Sequence, residues 1–138
     1  MIDIQLLDSP LSPEMCLSRV ASAEAGGTTL FSGTVRNQTQ GRSVVRLEFE
    51  AYAPMAISEM RKIAEHVECK WSARHVAIHH RIGVLSIGEI AVLIAVATPH
   101  RAASFAACQY AIDTLKETVP IWKKEIFTDG EIWVAAHP

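Results

Sequence analysis

Apolar and polar positions alternate with a period of two at Ile2–Leu7. They do so again at Val44–Tyr52, where Val45, Leu47, Phe49 and Ala51 stand against Val44, Arg46, Glu48, Glu50 and Tyr52. This period puts alternate side chains on opposite faces, so it predicts two half-buried strands. Thr28–Arg36, TTLFSGTVR, is β-branched and aromatic and predicts a third. Gly33 inside it marks a bulge or a close backbone approach. The polar stretch NQTQGRS at Asn37–Ser43 reads as a mobile loop, which makes residues 28–52 a hairpin with a long connection. His75–Arg81 and Ile90–Ala97 predict further strands, with Gly83 and Gly88 punctuating Val84–Ile87 between them. Ile121–Phe127 and Glu131–Ala135 flank Thr128-Asp129-Gly130, a hairpin turn with glycine where positive φ is needed.

Three stretches carry a helical period instead. Ser12-Pro13-Glu14 opens the first with a cap, a first-turn proline and an acid facing the positive dipole end. It is expected to run to about Ala25, where Gly26-Gly27 stops it. Pro54–Val67 is the second, with Met55, Met60, Ile63, Ala64 and Val67 on one face. The third follows Thr98 as N-cap and Pro99 as first helical residue. Its stripe is Phe105, Cys108, Ile112 and Leu115, packed on a sheet that includes Ile90–Ala97, and Pro120 ends it. Helices alternating with pairs of strands favour α+β with mostly antiparallel sheet.

The 138 residues make one domain, 1–138, long enough for a real core. A hydrophobic share of 49% and a charged share of 20% exclude a disordered or fibrous chain. A formal charge of -2 with interspersed signs argues against a nucleic-acid surface. Ile90–Ala97 is too short to span a bilayer, and MIDIQLLDSP is not a signal peptide, so a cytoplasmic protein is expected. Cys16, Cys69 and Cys108 form no CxxC pair, which argues against structural zinc, disulfides and a cysteine nucleophile. His75, His79 and His80 lack a carboxylate or cysteine at matching spacing and are read as sheet-surface histidines rather than metal ligands. No Gly-rich phosphate loop occurs.

The candidate chemistry lies at the two ends of the third helix. His100-Arg101 adds cations where free amides and the dipole are already positive. Two readings stand: a phosphate or carboxylate site, or a solvated arginine paired with a surface acid. Lys116 leaves the far end, and Lys123-Lys124 follow Ile121-Trp122. They are either a solvated face or, beside that apolar bulk, partly desolvated amines available for chemistry.

Five stretches, in order, resemble the large, catalytic subunit family of molybdopterin synthase. They are FSGTVRNQTQGRSV (Phe31–Val44), LEFEAY (Leu47–Tyr52), HRIGVLSIGE (His80–Glu89), TPHRAASFAAC (Thr98–Cys108) and LKETVPIWKKE (Leu115–Glu125). The last two are the specific ones. Departures are small: Phe49 where tyrosine is frequent, and Ser104 where alanine is common.

The resemblance implies an α+β fold of the α/β-hammerhead type, with mostly antiparallel sheet and three helices. It implies a homodimer in which each chain binds a small ubiquitin-like subunit, giving a heterotetramer. That partner's C-terminal Gly-Gly thiocarboxylate enters a pocket and delivers two sulfurs to cyclic pyranopterin monophosphate, forming the molybdopterin dithiolene. No resident cofactor or metal is implied. Lys116 would sit against the tail, and Lys123 would act as acid, base or transient nucleophile. Lys124 and Glu125 would line the same site, with the Thr34, Val35 and Arg36 backbone as another wall. His100 and Arg101 would reach the pocket from the second protomer, binding the substrate phosphate with Arg36. The rival reading is a non-catalytic module that binds an anionic ligand or acidic tail through the same basic residues.

Overall fold

The computed structural model describes residues 1–135. The elements run β1 (Ile2–Leu7), α1 (Pro13–Val20), β2 (Gly27–Thr34), β3 (Gln38–Thr39), β4 (Arg42–Ala51), α2 (Ala53–Trp71), β5 (His75–Arg81), β6 (Gly83–Ser86), β7 (Ile90–Thr98), α3 (Arg101–Thr118), β8 (Ile121–Phe127) and β9 (Gly130–Ala135). One sheet has the order β1-β5-β7-β2, and the other β3-β4-β8-β9 with β6 also on β4. Only β1 and β5 pair in parallel among the described strands. The fold is α+β.

Both faces of the first sheet are covered, which is why β7 reads as an apolar run rather than an alternation and why Val76–His80 of β5 are all buried. Cys16 and Val20 of α1 pack with Ala77, Leu93, Ala95 and Ala97 on one face. On the other, Val76, Ile78, Ile94 and Val96 meet Met60, Ile63 and Val67 of α2 and Cys108, Ala111 and Leu115 of α3. Leu115 is 4% exposed and joins α3 to this core. Leu115→Ala should therefore cost about 2–5 kcal/mol by removing buried methyls and leaving a cavity, measured by denaturant unfolding.

Several local expectations are corrected by packing. Helix α1 ends at Val20 rather than near Ala25, because Ala21 already turns extended at ψ 129°. Gly26-Gly27 do a different job from stopping it. The Gly26 N–H donates to the carbonyls of Thr98 and Pro99, and a Cβ there would stand 2.5 Å from the Pro99 oxygen. Gly27 lets β2 pass under the start of α3, since its Cβ would meet the Arg101 Cα at 2.7 Å. Gly33 is the close approach its sequence suggests: the register shifts after it, and a Cβ would meet Val92 at 2.8 Å.

Residues 28–52 are not one hairpin. β2 pairs with β7, while β4 pairs with β3, β6 and β8 in the other sheet. The polar 37–43 stretch contains a tight β3–β4 turn, with Gln40 and Gly41 at positive φ. A bulge between Val44 and Arg46 breaks the alternation of β4, so Val44 is buried and Val45 exposed. Met55 and Phe105 lie outside their predicted stripes, at 50% and 60% exposure. Small residues (Ala56 on α2; Ser104, Ala107 and Ala111 on α3) take the buried positions instead. Helix α3 begins at Arg101 with His100 as N-cap. Thr98 ends β7, and its hydroxyl donates to the His100 carbonyl.

Candidate functional site

Strand β2 ends at a fixed edge. The Val35 N–H donates to the Glu89 carbonyl, and the Gly88 N–H donates to the Val35 carbonyl. The β6–β7 turn is itself locked: the Glu89 carboxylate accepts from the Ser86 N–H at 2.7 Å and from Arg81 at 2.9 Å. Those two hydrogen bonds hold its pKa below the usual carboxylate range. Thr34 and Val35 thereby form one wall of a pocket of about 110 Å³. Phe31, Phe49 and Leu115 supply apolar walls, and Lys116 and Lys123 reach it from α3 and β8.

The two lysines come together because Pro120 sends the chain straight from α3 into β8. The Tyr52 N–H donates to the Pro120 carbonyl at 3.2 Å, and β8 then pairs along β4 with Lys123 opposite Phe49. The Lys123 ammonium is 3.7 Å from Glu125 Oε1. Burial lowers its pKa from the usual lysine value, Glu125 opposes this, and the positive charges of Lys116 and Arg36 push it further down. Glu125 is 7% exposed, and its Oε2 is buried without a hydrogen-bond partner. The result is a half-buried amine in a positive neighbourhood, with one carboxylate beside it.

Not every candidate residue reaches this pocket. Lys124 points to the opposite face of β8, 3.9 Å from Glu131 and over the Trp133 ring at 4.8 Å. Arg36 is exposed just past the pocket wall. His100 and Arg101 are exposed at the far end of α3. Fifteen residues at 1.5 Å rise separate Arg101 from Lys116, about 22 Å, so one chain does not join both ends in one site.

His80 is the pocket group missed by reading β5 as having a solvent face. His79 and His80 are 1% and 3% exposed, because both sides of that sheet are packed. His79 Nε2 meets Asp3 at 2.7 Å on the α1 side. His80 lies on the other side, lines the lysine pocket, and packs edge-on to Phe49. The one available signal was parity: position 80 shares a face with Val76 and Ile78.

Cysteine chemistry is absent from the pocket. Burial pushes the Cys16 thiol up to about 12 and that of Cys108 up to about 11. Among the described residues no group of three or more His, Cys, Asp and Glu side chains could hold a metal ion, and no helix is long and apolar enough to cross a membrane. Two larger hollows, of about 370 and 750 Å³, lie elsewhere on the surface and include neither pocket lysine.

The MoaE protein family matches residues 6–118. The molybdopterin synthase catalytic subunit of Bacillus subtilis is 50% identical over 130 residues, 94% of this chain and 83% of that one. The crystal structure of molybdopterin synthase from Staphylococcus aureus superposes with a TM-score of 0.90 at 42% identity, covering 94% of this chain and 95% of that chain. A complex of subunits 1 and 2 of molybdopterin-converting factor from Helicobacter pylori has the same fold, with a TM-score of 0.77 at 19% identity, covering 99% of this chain and 93% of that chain. With its five motifs set on this framework, the chain belongs to the MoaE family, whose members include molybdopterin synthase catalytic subunits.

Proposed function

We infer that this protein is the catalytic subunit of a molybdopterin synthase, a sulfurtransferase of molybdenum cofactor biosynthesis. One observation carries the reading: two lysines from different elements converge on a small, largely apolar pocket walled by the end of β2. A narrow pocket of this kind admits an extended Gly-Gly tail, since glycine adds no side chain where backbones converge. The tail belongs to a small ubiquitin-like partner and ends in an anionic thiocarboxylate, which the lysine ammonium groups attract and orient. Two sulfurs pass in turn to cyclic pyranopterin monophosphate, the substrate, and form the dithiolene.

Lys116 holds the tail, and Lys123 acts on the substrate as acid, base or transient nucleophile. Glu125 favours the protonated form of Lys123 against the effect of burial, and Arg36 borders the entrance. Lys124 serves from outside the pocket by fixing the β8–β9 hairpin through Glu131 and Trp133. His100 and Arg101 complete the pocket of a second copy, so the working unit is a homodimer carrying two small subunits. Unpaired cysteines fit a cytoplasmic setting.

Incubating the protein with thiocarboxylated small subunit and the pterin precursor should yield the dithiolene product; none formed, with both ligands bound, would reject the reading. Positioning makes sulfur transfer effectively intramolecular. Lys116→Ala should therefore lower product formation more than partner affinity, as titration and single-turnover assays would resolve. Lost docking with normal turnover at saturating partner would contradict that role.

A further inference from the structure

His80 is a pocket group that the sulfur-transfer scheme leaves without a part. Its Nδ1 is 2.9 Å from the Arg81 carbonyl oxygen. A carbonyl only accepts, so Nδ1 carries the proton and Nε2 is the lone-pair nitrogen. Nε2 makes no hydrogen bond among the described residues, yet it is not sealed away as Arg81 Nε is. Burial lowers the ring's pKa to about 4, so at neutral pH it is an acceptor without charge. The Arg81 contact and the edge-on packing against Phe49 at 5.5 Å fix the plane of the ring.

The pocket's other polar side chains are mostly donors. Lys116 and Lys123 give ammonium groups, and the remaining side-chain acceptor in the lining is the Thr34 hydroxyl on an exposed residue. A peptide tail brings an anionic end, which the lysines take, and backbone N–H groups, which they cannot. Hydrocarbon walls leave a buried N–H unpaired, which weakens binding. We propose that His80 Nε2 accepts a hydrogen bond from a backbone N–H of the partner's terminal Gly-Gly and so fixes the last peptide plane before the thiocarboxylate. This rests on the pocket being the tail's receptor.

The test uses the small subunit with a semisynthetic C-terminus. Glycolic acid replaces either the last or the penultimate glycine, turning one amide into an ester and deleting one N–H with little change of shape. Binding is measured calorimetrically to the wild-type protein, His80→Asn and His80→Gln, with folding checked by thermal unfolding. Asparagine keeps a donor for the Arg81 carbonyl but has nothing at the Nε2 position; glutamine can place a carbonyl oxygen near it. One of the two esters should bind the wild-type protein about tenfold more weakly than the native tail. His80→Asn should lose a similar factor with the native tail and be indifferent to that ester, and His80→Gln should regain part of the loss. Equal ester penalties in wild type and His80→Asn, or no penalty with either ester in wild type, would overturn the His80 assignment alone. A His80→Asn defect confined to pterin affinity would overturn it too, giving the acceptor to the substrate. Failure of the wild-type protein to bind even the native tail would overturn the receptor reading and this inference with it.

Discussion

Lys123→Arg should cut sulfur transfer by at least about a hundredfold while the small subunit and the pterin precursor still bind, because arginine keeps the charge but stays protonated at any working pH. The structure gives this lysine the means to be more than a charge. Burial and the nearby Lys116 and Arg36 lower its pKa, against the opposing pull of Glu125. A neutral amine, or an ammonium that releases its proton, is thus available at lower pH than for a solvated lysine. If the neutral form acts, activity rises with pH through a midpoint below the ordinary lysine range. Lys116→Ala removes a neighbouring cation, so Lys123 should hold its proton more tightly and the midpoint should move up. Single-turnover rates with both ligands saturating decide between catalysis and binding. A non-catalytic module that only holds anions would barely respond to Lys123→Arg, and an unchanged rate would favour it.

The large features of this chain are legible because each is a local rule repeated. The alternation of β1, the strand at β5, the apolar run of β7 and the glycine-closed β8–β9 turn appear where the sequence places them. Failures occur where packing between distant segments decides. No residue in VVRLEFEA announces the bulge that turns Val45 outward. The buried face of α3 holds the expected Cys108, Ile112 and Leu115, but Ser104, Ala107 and Ala111 complete it in place of Phe105, where β2 and β7 pass close beneath the helix. A periodicity weighted by large side chains finds the wrong edge of that stripe. Sequence adjacency also suggested that β2 pairs with β4, but Gly33 and the Val35 contacts bind β2 to β7 and its preceding turn.

The site divides in the same way. Lys116 and Lys123 lie within one short motif, so a helix stop followed by a strand already brings them near each other. Thr34 and Val35 come from the opposite end of the chain, and only the motif resemblance connected them with the lysines. His80 was hidden by its type, since a histidine on a strand reads as surface until the second face of the sheet is known to be covered. Lys124 shows the converse. Its neighbour Lys123 lines the pocket, but the period of two in β8 turns Lys124 away.

With the precursor held well below saturation, where each variant alone has little activity, mixing Lys123→Ala protein with Arg101→Ala protein should restore about a quarter of wild-type activity. Free exchange makes half of the dimers mixed, and each mixed dimer holds one intact composite site of two. Helix geometry holds Arg101 and Lys116 about 22 Å apart on α3, too far for one chain to bring both to a single small ligand. The N-terminal end of α3 is nonetheless built with care. Gly26 and Gly27 let β2 close against it, and the Thr29 and Ser104 hydroxyls meet at 2.7 Å beneath it. His100 caps the helix without a side-chain hydrogen bond, which leaves the first-turn N–H groups free for an anion. Phe105, 60% exposed and one turn on from Arg101, makes this face apolar as well as cationic, as suits a face covered by a second copy. Arg101→Ala alone should weaken precursor binding about tenfold to a hundredfold, the loss expected for a charge-assisted hydrogen bond to phosphate. Subunit exchange has to be demonstrated in the same mixture with tagged chains. Exchange without rescue would assign Arg101 and Lys123 to one protomer's site, and neither the helix length nor the placement of the pocket would then explain how they meet.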